Sequence, residues 1–158
     1  MAKPIDQFGG WLRFFQVISW LNFAGSVVFF LFSVASLAQV IDGGDMLIDS
    51  ISALQFLIVG ACTYIMATQL PVQSADTPKK VALASTVGLF GLIAADLVIA
   101  GIEAHRAGDG FFAHFHGAGA LWLVVFQFYI ERSKRVLSYY GENYSVFTPN
   151  NSLQARRP

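Results

Sequence analysis

Asp96 is the residue of this chain best placed to do chemistry, because it stands inside an apolar run, Leu89–Ile102, with no basic residue beside it. A charge at mid-membrane depth costs about 2.5–3.5 kcal/mol even on a lenient insertion scale. Its carboxyl is therefore expected to face a neighbouring helix or water. Counted from Ile102, it lies ~9 Å deep at 1.5 Å of rise per residue. When successive apolar runs alternate in direction, Gln55 from the run before it and His114 and His116 from the run after it share that slab. Glu103, seven residues beyond Asp96, lies on the same face nearly two turns closer to the surface. His105 and Asp109 complete an acidic rim, and all three histidines fall between Glu103 and His116.

Three chemistries fit such a cluster. Asp96 can bond to Gln55, a histidine or a hydroxyl and fix helix register, since interhelical polar pairs in membranes are modest but specific. Asp96, Glu103, Gln55, His114 and His116 can form an outward-facing proton or ligand site, because imidazole titrates near neutral pH. A metal site is the weakest of the three. Two histidines two residues apart on a helix point about 200° from one another, so His114 and His116 can share an ion only if Gly108, Gly110, Gly117 and Gly119 let the segment unwind. The chain has no phosphate-binding glycine loop, no CxxC, no HExxH and no serine elbow. No catalytic residue, no resident metal and no cofactor is therefore expected, and the chain is not expected to be an enzyme. No nucleic-acid partner is expected either.

The elements that must position these residues are four apolar stretches, Trp11–Val40, Met46–Gln69, Val81–Ile102 and Phe111–Ile130. Each reaches the ~20 residues that cross a ~30 Å hydrocarbon core as a helix. Of the 158 residues 55% are hydrophobic and 13% charged, about half the charged share of a soluble domain. With alternating crossings, one side holds nine of the ten Lys and Arg residues and the other holds only Arg106. Nine bases against four acids make that side about +5, and the positive-inside rule makes it cytoplasmic. The expected fold is all-α: an integral membrane four-helix up-down bundle, with both termini inside. Short connections, Asp42–Asp45, Pro71–Pro78 and Glu103–Gly110, make consecutive helices antiparallel neighbours. Residues 1–141 form one transmembrane domain, with helices at about 11–40, 46–69, 81–102 and 111–140, and 142–158 form a polar cytoplasmic tail. Thr77 and Pro78 resemble a helix start. After Ile130 the last helix is expected to run on through Glu131–Tyr140 until Gly141 stops it.

Small residues give the third helix, through Ala84, Gly88, Gly91 and Ala95, a face that permits close approach. Asn22 and Ser26, one turn apart on the first helix, can bond helix to helix. The fifteen phenylalanines read as bulk facing lipid. Arg132, Lys134 and Arg135 lie just beyond the last apolar stretch, where each charge gains ~1 kcal/mol near anionic lipid. They are candidates for docking anionic lipid or a partner at the cytoplasmic face.

Gly9-Gly10-Trp11-Leu12 at the start of the first helix and Ser133-Lys134-Arg135-Val136 after the fourth form a spaced pair of motifs. With the four-helix topology, the chain resembles the YdgK-like family of small bacterial inner-membrane proteins. The resemblance implies that fold and that location, and it carries over no activity. Two functions follow as expectations. The first is a non-enzymatic accessory or assembly subunit of a larger membrane complex, with the bilayer and membrane subunits as partners. The alternative is a proton-, metal- or small-ligand-responsive membrane protein using the Asp/Glu/His cluster.

Overall fold

The computed structural model describes residues 8–39, 45–108, 110 and 120–140, and among them there are helices and no strand. In chain order they are α1 (Trp11–Gln39), α2 (Met46–Gln69), α3 (Thr77–Ala107), α4 (Leu121–Arg132) and α5 (Lys134–Tyr140). The first three are long and apolar enough to cross a membrane, which is the mark of a membrane protein. The first nine residues of the expected fourth crossing, 111–119, lie outside the described residues. The same holds for the tail, 142–158.

Helix ends are set by local chemistry that hydropathy does not register. α1 opens at Gly10, whose φ of 55° is left-handed and suits glycine; its carbonyl accepts from the Phe14 N–H at 3.0 Å. Asp45 caps α2, its carboxylate accepting from the Ile48 N–H at 3.5 Å. α3 is longer than the expected 81–102. It begins at Thr77 with proline in its first turn, where a missing N–H is harmless. It runs past Ile102 to Ala107 and ends at Gly108, which is left-handed at φ 72°. Glu103–Gly110, expected as a loop because Gly108 and Gly110 break the helix, is helical as far as Ala107. Glu, Ala and Arg are good helix formers, and His105 and Arg106 in the last turn suit the helix dipole.

The expected continuous helix over 111–140 is also corrected. Ser133 is extended, at φ −77° and ψ 124°, and separates α4 from α5. Its hydroxyl accepts from the Arg135 N–H at 3.2 Å, the local bond by which serine favours a helix start over a helix interior.

α1 lies antiparallel on α2. Gln16 donates to the Ala67 carbonyl at 3.3 Å, Phe29 stacks on Phe56 at 5.2 Å, and Ser36 donates to Asp49 at 2.8 Å. α3 lies antiparallel on α2 in turn, through the small-residue face read from the sequence. A Cβ on Gly88 would stand 3.2 Å from that of Cys62, and one on Gly91 would stand 2.9 Å from a methyl of Ile58. That face is therefore used inside the fold.

The core occupies one end of the molecule, here called proximal. Leu12 and Phe15 of α1, Met66 of α2, Val81 of α3 and Phe126 and Ile130 of α4 are all buried there. The Phe15 ring meets Phe126 at 4.8 Å and Tyr129 at 5.1 Å, joining α1 to α4. α5 folds over the same end. Tyr139 donates to the Pro71 carbonyl at 2.9 Å and Tyr140 to the Leu70 carbonyl, occupying backbone acceptors that the end of α2 leaves open. Gln73 closes the contact by donating to the Tyr139 carbonyl at 3.0 Å.

Glycine-to-alanine changes on α3 are expected to differ in sign with position. Gly91→Ala must move a branched methyl of Ile58 and should destabilise by ~1–3 kcal/mol. Gly101, whose Cβ would meet nothing within 4 Å, should gain ~0.5–1 kcal/mol as Ala. Unfolding of the purified protein in mixed detergent measures both, and equal effects would show that the close approach to α2 is not what holds α3.

Candidate functional site

Among the described residues, the buried cluster lies at the proximal end, while polar ties mark the distal half of the molecule. At its centre, Gln55 on α2 donates from Nε2 to Oδ1 of Asp96 on α3 at 3.0 Å. Gln55 is 9% exposed and Asp96 is half-buried. The antiparallel course of α2 and α3 places these two side chains at one level, and Gly91 lets the helices approach closely enough for the short amide to reach. An N–H donated to a carboxylate is stronger than a neutral hydrogen bond. Here it gives the carboxyl group a partner where lipid offers none.

Two further ties stand nearer the distal end. Ser36 of α1 donates to Oδ2 of Asp49. Arg106, in the last turn of α3, pairs with Asp45 at the start of α2. One carboxylate, Asp45, thus caps α2 and anchors α3. Charge type alone gives little notice of these pairs. The partners of Asp45 and Asp49 lie 61 and 13 residues away.

The sequence-predicted site is brought together only in part. Gln55 and Asp96 meet. Glu103 is half-buried two turns along α3, and His105 is exposed in the same helix instead of lying in a loop. Asp109, His114 and His116 fall outside the described residues, so the histidine side of the cluster does too. Among the described residues no three His, Cys, Asp or Glu side chains stand where they could hold a metal ion. The basic cluster divides: Arg132 and Lys134 are exposed, whereas Arg135 is half-buried. The Arg135 guanidinium lies over Gly10, where an added Cβ would stand 3.0 Å from it. The two motifs that carry the family resemblance therefore touch.

Beside Gln55 opens a cleft of about 450 Å³, whose lining includes Asn22, Gly25, Ser26, Phe29, Gln55 and Trp122. Asn22, able by its place on α1 to bond to a neighbouring helix, donates back to the Ile18 carbonyl of its own helix at 2.8 Å. Trp122 escaped the sequence reading because nothing in its surroundings marks it as facing inward. No family, curated protein or solved structure matches this chain.

The geometry makes the Gln55–Asp96 pair a register lock. Asp96→Asn should keep the bond, the new amide oxygen accepting from Gln55, and should shift stability by less than ~1 kcal/mol. Gln55→Leu leaves the carboxylate without its donor and should cost ~1–3 kcal/mol. The double change to Gln55→Leu and Asp96→Leu should recover most of that loss. A double-mutant cycle in detergent, scored by unfolding, reads the coupling. A coupling near zero would remove the pair from the account of the fold.

Proposed function

We propose that this chain is a non-enzymatic, four-helix up-down protein of a bacterial inner membrane, with both termini cytoplasmic. It acts by association, as an accessory or assembly subunit of a larger membrane complex. The placement of nine of ten basic residues on one side supports the orientation, and the resemblance to the YdgK-like family supports the location. Anionic headgroups at the cytoplasmic face are the natural contact for Arg132 and Lys134.

The observation that carries association is the bareness of α1. Of its most apolar stretch 11% is buried, against 33% for α2. Its outward side is bulky: Phe14, Leu21, Leu31 and Phe32 are all exposed. Lipid covers an apolar helix by default, and small residues would be the usual means of close helix approach. A long helix attached along one side only, carrying large rings on the other, instead presents an irregular surface that a matching helix fills better than mobile chains do. Polar groups on its attached side are already engaged, Gln16 with Ala67 and Ser36 with Asp49.

Photo-crosslinking in native membranes tests this reading. A photoreactive residue at Leu31 or Phe32 should give one discrete protein adduct, while one at Leu83 or Phe90, exposed on α3, should give lipid adducts. Lipid adducts alone at all four positions, with only free monomer after gentle solubilisation, would end the association reading.

A further inference from the structure

α1 and α2 approach closely where Ser26 faces Gly60, since a Cβ on Gly60 would stand 3.3 Å from that of Ser26. Two hollows open beside that contact. The smaller, about 320 Å³, is walled by apolar and aromatic residues such as Phe23, Val27, Leu57 and Tyr64, and suits an acyl chain. The larger, about 450 Å³, is different in chemistry. Its lining draws on four helices, through Asn22, Gln55, Leu92 and Trp122, and includes three polar side chains, Asn22, Ser26 and Gln55.

These polar groups lie deep. Asn22 is eleven residues into α1 and Gln55 nine into α2, about 16 and 14 Å along helices that cross a ~30 Å core. At that depth an unmet hydrogen-bonding group costs several kcal/mol. Gln55 gives one N–H to Asp96 and Asn22 gives one to Ile18, but a primary amide carries two N–H bonds and an acceptor oxygen. The cleft thus offers amide donors beside rings, including the stacked Phe29–Phe56 pair and Trp122. Among the described residues, no Lys, Arg, His, Asp or Glu lines it.

A charged phospholipid headgroup would have to abandon the interface to reach these amides, and an acyl chain alone would leave them unmet. A neutral flat ring bearing carbonyl oxygens, with an apolar tail, meets both the donors and the walls. We propose that this cleft binds a tailed carbonyl compound of the quinone type, its ring oxygens accepting from the Asn22 and Gln55 amides and its tail lying in the surrounding lipid. Binding alone is assigned, with no electron transfer. The site stands or falls independently of association through α1.

The test is a titration of the full chain, with Trp11→Phe and Trp20→Phe so that Trp122 is the sole reporter, in single-phospholipid nanodiscs. The probe is ubiquinone with two isoprene units, read as quenching of tryptophan fluorescence. Saturable quenching is expected. Gly25 lines the cleft and its Cβ would meet nothing within 4 Å, so Gly25→Phe should fill the space and abolish saturation. Asn22→Leu, which removes an amide at similar volume, should weaken binding about tenfold even if the bulkier change misfolds. Val28→Phe, at an exposed position of the same helix, should bind as the parent does. Linear quenching equal in all variants means partition into lipid and overturns the proposal. So does a phospholipid that native mass spectrometry finds retained and that the quinone does not displace.

Discussion

Everything in this arrangement depends on how closely α2 and α3 approach one another. Inside a bilayer the tails of lipid are as apolar as leucine, so no hydrophobic drive pulls two apolar helices together. What remains is contact distance and a few polar bonds. Gly88 against Cys62 and Gly91 against Ile58 bring the two backbones close. Dispersion falls steeply with separation, so that closeness is itself the stabilisation. It also makes the polar tie possible, because a glutamine side chain is short and Asp96 must lie within its reach. The small residues and the Gln55–Asp96 bond are in this sense one device: the first sets the distance, and the second fixes which turn faces which.

The two halves of the molecule solve the same problem differently. At the proximal end four helices converge on a packed aromatic and aliphatic core, and α5 folds across it with tyrosine hydroxyls on the last carbonyls of α2. Here the chain reaches the polar boundary, where backbone acceptors need partners and tyrosine supplies an apolar ring with a polar tip. At the distal end α1, α2 and α3 are held mainly by Ser36–Asp49, Gln55–Asp96 and Asp45–Arg106. Each tie orients a pair of helices without filling the space between them.

Much of this was legible because membrane helices must satisfy their own backbone. An apolar run of sufficient length therefore reads almost directly as an element, and α2 begins and ends where its run does. An intramembrane carboxylate needs a partner at its own depth, which points from Asp96 to Gln55 by counting residues. Other features were hidden for identifiable reasons. The glycines at 108 and 110 make Glu103–Gly110 read as loop, yet helix propensity carries α3 to Ala107 before the Gly108 cap. Ser133 was read through because one hydroxyl that starts a new helix leaves no trace in hydropathy. The small-residue face of α3 was visible, but which neighbour it meets is a tertiary fact. The meeting of Gly10 with Arg135 joins residues 125 positions apart, beyond what any local pattern carries. The histidine side of the candidate site, His114 and His116, lies outside the described residues.

The cleft beside Gln55 follows from the contrast between the two halves. Distal to the buried cluster, the described residues of four helices leave this opening between them. Beside it Ser26 of α1 meets Gly60 of α2, one of several contacts that hold these two helices together. Gly25, which contributes no side chain, keeps the wall thin where the hollow is widest in chemistry, next to Asn22, Ser26 and Gln55. A larger residue there would meet no obstacle in the fold. A fold with nothing to gain from the space would close it at little cost, since leucine is a better helix former than glycine and is at home in lipid. The polar lining points the same way, because apolar residues at 22, 26 and 55 would insert more favourably. Gln55 is accounted for by Asp96. Asn22 is not, since its bond to Ile18 serves its own helix alone, and it is the residue on which a bound ligand has the strongest claim.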